Sequence, residues 1–95
     1  MIQLKVKITK QDIANGKAAD CHKCPLALAI NRALREVGIL TLSPRIWPYW
    51  SYLETADEWA KFRAENNPAL QVWIAQFDRF KRGKELEFTM DFVEI

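Results

Sequence analysis

The chain has 95 residues, 49% of them hydrophobic and 12% aromatic, and its 14 basic and 12 acidic side chains leave a formal net charge of +2. A chain of this size buries roughly 60 to 65% of the surface it exposes when unfolded, enough for one core without a metal or disulfide staple, so a single domain over residues 1–95 is expected. The small charge is too slight to imply a nucleic-acid footprint, which usually shows a clear basic excess on one face, and the absence of any apolar run near ~20 residues excludes a membrane-spanning helix.

The first residues, MIQLKVKITK, set Ile2, Leu4, Val6 and Ile8 against Gln3, Lys5, Lys7 and Thr9, the period of a half-buried strand. That alternation lacks the apolar centre of a signal peptide, so a cytoplasmic protein is expected, in which Cys21 and Cys24 remain free thiols. Thr9 and Asp12 stand at capping-box spacing, and Gly16 is placed to end one helical turn through a left-handed cap. In CPLALAINRALREVG, Leu26, Ile30, Ala33, Leu34 and Val37 share a helical face, with Gly38 at the stop. ILTLS reads as a strand, Pro44 and Arg45 as a turn, and IWPYWSYL as an aromatic strand. Pro48 marks that strand as an edge or a bulge.

TADE predicts a second helix start, with Thr55 as N-cap, Glu58 as its capping partner, and Trp59 and Phe62 on one face. Asn66, Asn67 and Pro68 interrupt and restart it, after which Leu70, Trp73, Ile74, Phe77 and Phe80 carry the apolar stripe to Gly83. The last segment alternates Leu86, Phe88, Met90 and Phe92 with Glu87, Thr89 and Asp91 and predicts a closing strand. The order matches a ferredoxin-like βαββαβ sandwich. This is an α+β fold with the helices on one face of an antiparallel sheet, the second helix being broken near Asn67 and Pro68. No repeat or linker divides it.

DCHKCPLALAI, residues 20–30, supports three readings. Structural zinc takes four ligands; Cys21, Cys24 and the lone His22 are an incomplete set, and a site here needs His22 to bend back between its neighbours, Asp20 to join, or a second subunit to donate another pair. A thiol at a helix N-terminus is favoured as thiolate, and C-x-x-C-Pro is similar to the thioredoxin motif, but the preceding strand and longer alternation of that fold are missing. The third reading leads: Cys24 is an N-cap or near-cap residue, Pro25 occupies the first helical turn, and both sulfurs are partly buried small apolar groups.

Trp47, Tyr49, Trp50 and Tyr52 crowd the aromatic strand, and alternation sends Trp47 and Tyr49 to one face and Trp50 and Tyr52 to the other. One pair is expected in the core and the other on an open sheet face or in an interface. Beside Arg45, Lys5 and Lys7, exposed rings suit base stacking at ~1 to 3 kcal/mol per base, or the centre of a homodimer interface. The first strand lacks the paired aromatic residues of an RNA-recognition motif. With no Gly-rich phosphate loop, nucleophile elbow or histidine pair, and with Asp57, Glu58 and Asp78 read as solvated, neither an enzyme nor a cofactor is expected.

ITKQDIANG, DCHKCPLALAINRAL and WIAQFDRF with LEFTMDF together resemble a family of small phage and prophage proteins that carry a D-I-x-x-G turn and a Cys-Pro-(Ile/Leu)-Ala-Leu-Ala helix start. The matching residues run from Asp12, Ile13 and Gly16 through Cys21, Cys24 and Pro25 to Phe77, Asp78, Phe88 and Phe92. The middle of the chain and the final strand, which has no proline, depart from the pattern. The resemblance implies a phage or mobile-element accessory protein in the host cytoplasm, acting against host defence by binding a host protein or sequestering a nucleotide signal. A homo-oligomer using Trp47, Tyr49, Trp50, Tyr52, Arg45, Lys5 and Lys7 is the expected form. A single-stranded nucleic-acid module and a zinc-stapled interaction domain are the alternatives.

Overall fold

Alternation in the first residues builds β1 (Ile2–Ile8), with Leu4, Val6 and Ile8 fully buried and Lys5 and Lys7 turned outward. The computed structural model describes residues 1–95. At the end of β1 the expected capping box forms: the Asp12 amide donates to Thr9 Oγ1 at 3.2 Å, and the Thr9 amide donates to Asp12 Oδ2 at 2.9 Å. It opens α1 (Lys10–Asn15). Gly16 ends this helix with extended backbone, φ −71°, not through the left-handed cap that was expected. Its lack of a side chain serves a close approach instead, because a Cβ there would lie 2.5 Å from the Pro25 ring.

Cys24 is the N-cap and Pro25 the first residue of α2 (Pro25–Glu36), which buries Leu26, Ile30, Ala33 and Leu34. Val37, expected on that face, is the exposed C-cap residue, and Gly38 takes φ +79° to turn the chain. The next segment departs from expectation. Ser43–Ile46 form β2, Trp47, Pro48 and Tyr49 are a turn, and Trp50–Glu54 form β3. Pro44 and Arg45 are therefore in a strand, and Pro44 is tolerated because β2 lies at the sheet edge.

The helix expected from Thr55 is also replaced. Thr55 to Trp59 make a turn, closed by the Thr55 amide donating to the Trp59 carbonyl at 3.0 Å, and Ala60–Glu65 form β4. Phe62, Ala64 and Asn66 point inward while Lys61, Arg63 and Glu65 point out, a period of two that outweighs the capping-box signal. Only the later part of the expected broken helix is helical. That is α3 (Pro68–Phe80), capped by Asn67 Oδ1 accepting from the Leu70 amide at 2.8 Å and burying Leu70, Trp73, Ile74 and Phe77. The chain closes with β5 (Leu86–Glu94).

The result is an α+β fold whose five strands form one antiparallel sheet in the order β1-β5-β4-β3-β2, with three helices. The four-strand βαββαβ order expected from the sequence is extended by the strand found in place of a helix. β1 and β5 pair along their length, from Ile2 opposite Phe92 to Ile8 opposite Leu86, whereas β4 and β5 pair only at Phe62 with Glu94 and Arg63 with Val93. The inward face of the sheet joins α2 and α3 in a single apolar cluster. No helix is long and apolar enough to cross a membrane.

Candidate functional site

The stretch from Asp20 to Cys24 is a tight turn, held by the Lys23 and Cys24 amides donating to the Asp20 carbonyl at 3.3 and 3.0 Å. The Asp20 carboxylate accepts from the His22 and Lys23 amides, at 3.0 and 3.1 Å, and these donors hold it below the usual aspartate range. The turn is anchored to the sheet edge through the Ile46 amide, which donates to the Cys21 carbonyl at 2.8 Å. Its side chains divide between two concavities: His22 and Lys23 line a groove against α1 and α2, and Cys21 and Cys24 line an apolar cleft beside Ile46, Trp47 and Ile74.

The groove has a volume of about 620 Å³. Leu28, Asn31, Arg32 and Arg35 enter it from one face of α2, at the spacing that stacks side chains along a helix. Asn15, Lys17 and Lys23 come from the opposite side. Arg32 is fixed by a two-pronged pair with Asp12, Nη1 to Oδ1 at 2.8 Å and Nη2 to Oδ2 at 2.7 Å, and also donates to the Lys7 carbonyl at 2.7 Å. Burial alone would raise the Asp12 carboxyl, but the guanidinium and the Thr9 amide outweigh it and hold the group below the ordinary range. Lys17, Lys23 and Arg35 have no carboxylate within ion-pair distance. Four cations against the one carboxylate of Asp12 leave this groove at +3, more positive than the whole chain at +2.

Behind the turn lies a second polar cluster. Glu54, only 4% exposed, meets His22 Nε2 at 2.9 Å through Oε1 and Arg45 Nε at 3.2 Å through Oε2. A carboxylate only accepts, so His22 Nε2 carries a hydrogen, and the 3.3 Å approach of Arg45 Nε to that same nitrogen is a contact between two donors. In the neutral ring that tautomer leaves His22 Nδ1 as an acceptor, 3.4 Å from Cys21 Sγ. Cys24 is different: burial pushes its thiol up to about 11.

The aromatic residues singled out from the sequence are dispersed. Trp47 and Tyr49 sit in the β2–β3 turn, 49% and 65% exposed, and neither they nor half-buried Trp50 and Tyr52 enter the core as a pair. Ser51 and Leu53 take the inward positions instead. Asn66 clamps the turn: its amide Nδ2 donates to the Trp47 and Pro48 carbonyls, and Oδ1 accepts from Ser51 Oγ at 2.6 Å. On the outer sheet face Arg63 lies over the Trp50 ring, 4.7 Å from its centre, while Arg45 stands opposite Tyr52. Lys5 and Lys7 are on β1, three strand steps from β3, roughly 14 Å at ordinary strand spacing. The structure therefore brings Arg45 to the aromatic strands but leaves the two lysines at the other edge.

No three His, Cys, Asp or Glu side chains converge to hold a metal ion, so Cys21, His22 and Cys24 do not form a ligand set among themselves. The sequence reading passed over Lys17, Lys23, Arg32 and Arg35, although the polar face of the α2 pattern already aligned the last two. Glu54 carried no such sign, since its burial depends on the turn that packs over it. No protein family, curated protein or solved structure matches the chain.

Proposed function

We propose that this protein is a non-enzymatic binding protein that captures a small polyanion of the nucleotide class in the groove between α1 and α2. The observation that carries the reading is the convergence of Lys17, Lys23, Arg32 and Arg35 on one concavity, three of them without an acidic partner. Arg32, held by Asp12 and the Lys7 carbonyl, fixes one positive charge in the wall of the groove, while Arg35, with no carboxylate at ion-pair distance, keeps a guanidinium able to match phosphate geometry through paired hydrogen bonds. Lys17, Lys23 and Arg35 supply the remaining positive charge, and Asn15 and Asn31 supply polar groups able to distinguish one nucleotide from another.

The aromatic strand is a weaker anion site because Arg45 is already bound to Glu54 and lies 4.0 Å from Glu58, and Arg63 is stacked over the Trp50 ring. With the resemblance to phage and prophage proteins, the reading becomes sequestration of a host nucleotide signal by a mobile-element accessory protein. Titration calorimetry with nucleoside diphosphates, triphosphates and cyclic dinucleotides tests it. Binding should fall about 100-fold in a Lys23→Glu, Arg35→Glu variant, and should weaken as salt rises because screening acts on exposed charges. Absence of binding to every phosphorylated ligand, or affinity unchanged by the double reversal, would sink the proposal.

A further inference from the structure

We propose that Cys21 is a nucleophilic thiol that reacts with hydroperoxides, with His22 as its proton acceptor, Glu54 as the positioning residue and Cys24 as the resolving thiol. This goes beyond the groove and does not depend on what the groove binds.

Three observations meet here. Cys21 Sγ lies 3.4 Å from His22 Nδ1, and His22 Nε2 lies 2.9 Å from buried Glu54. A nucleophile beside a base that is oriented by a third group is the arrangement that activates side-chain nucleophiles. Cys21 is partly exposed, whereas Cys24 is buried, which separates the attacking thiol from the waiting one. Finally, both cysteines line the same cleft, of about 270 Å³, with apolar walls from Ile46, Trp47 and Ile74. They stand three positions apart on the Asp20–Cys24 turn, and both face that one cleft.

The cleft also contains opposing charge. Asp20 and Asp78 line it, and Asp78 accepts from the Ala19 amide at 2.9 Å. Both carboxylates add to burial in disfavouring a thiolate at Cys24, in keeping with its place as the second thiol to react. Arg45, bound to the far oxygen of Glu54, keeps that carboxylate turned toward the imidazole.

In the first step the Cys21 proton passes to His22 Nδ1 and the sulfur attacks one peroxide oxygen. The O–O bond breaks, the leaving oxygen takes the proton from His22 and departs as water or alcohol, and the sulfur is oxidised to sulfenic acid. In the second step the Cys24 thiol attacks that sulfur. An S–S bond forms, the S–O bond breaks, and hydroxide leaves with the Cys24 proton as water.

The test is a hydrogen peroxide time course on the reduced full chain, followed by intact mass measurement and peptide mapping. Wild-type protein should lose both thiols together and become lighter by their two hydrogens. Cys24→Ser should stop at a sulfenic acid on Cys21, captured by dimedone, and Cys21→Ser should leave Cys24 reacting at least about tenfold more slowly. His22→Ala should slow Cys21 by about 100-fold, the scale of a positioned proton acceptor. Glu54→Gln should slow it too, and because Glu54 is buried, the more exposed His22→Asn supplies a second variant with intact packing. Loosened structure would speed Cys24, whereas lost positioning slows Cys21 alone. Equal rates at the two cysteines, unchanged Cys21 oxidation in both His22 variants, or no trapped sulfenic acid in Cys24→Ser would overturn the proposal.

Discussion

Asn66 shows how one buried amide shapes a surface. It is wholly inaccessible, yet its side chain and backbone hold three positions of the β2–β3 turn: Nδ2 reaches the Trp47 and Pro48 carbonyls, and its own amide donates to the Tyr49 carbonyl at 2.9 Å. Asn66→Ala would strand the Trp47 and Pro48 carbonyls and the Ser51 hydroxyl, at a cost of about 1 to 3 kcal/mol. Denaturant melts should show that loss, and Trp47 emission should shift because the turn that fixes its ring is released. Arg32 has a different signature, which depends on pH. The Asp12 carboxyl is held below its ordinary value, so its contribution is fully present above the ordinary aspartate range and is lost as pH falls through the folded value. Arg32→Ala removes the paired bonds to a carboxylate that is 6% exposed. Because the guanidinium itself is partly solvated, the expected loss at neutral pH is about 1 to 2 kcal/mol. The gap between Arg32→Ala and wild type should close as pH falls through the folded Asp12 value, as melts over a pH series would show.

Among the elements, those with one unambiguous period were legible in the sequence, and those where two signals competed were not. β1, α2, the main part of α3 and β5 follow from repeated apolar spacing, and the Thr9 capping box from two residues. β4 was hidden because Thr55 and Glu58 imitate a helix start. In fact Glu58 has φ +64°, and its amide donates to the Thr55 carbonyl, so the same four residues make a turn. The inward series Phe62, Ala64 and Asn66 includes a polar member, which weakened the period that would have exposed the strand. β2 was displaced by reading Pro44 as a turn, although an edge strand accommodates it. The groove was half legible: Asn31, Arg32 and Arg35 follow from the polar side of α2, but Lys17 and Lys23 join them only through the fold of the intervening turn. The partnership of His22 with Glu54 crosses 32 positions and had no local sign.

At the level of the whole molecule, the sheet is two well-paired parts joined by a short seam. The β2–β3–β4 meander and the β1–β5 pair meet only at Phe62 with Glu94 and Arg63 with Val93, with the Ile95 amide donating to the Lys61 carbonyl at 3.0 Å just beyond. Amide protection follows local opening rather than average stability. The seam amides should therefore exchange at least about tenfold faster than those in the middle of β1 and β5, which native-state hydrogen exchange measured by NMR would reveal. Equal protection across both would mean that the apolar cluster, not the strand ladder, sets the unit of opening.

The turn from Asp20 to Cys24 is one wall of two chambers, with His22 and Lys23 on the groove side and Cys21 and Cys24 on the cleft side. Events in the two chambers share a backbone, and thermodynamics makes such sharing reciprocal. Whatever factor a bond between the cysteines imposes on anion affinity, a bound anion must impose on the equilibrium of that bond. On the two proposals above, a five-residue segment would tie the chemical state of two sulfurs to the occupancy of a site that neither sulfur lines.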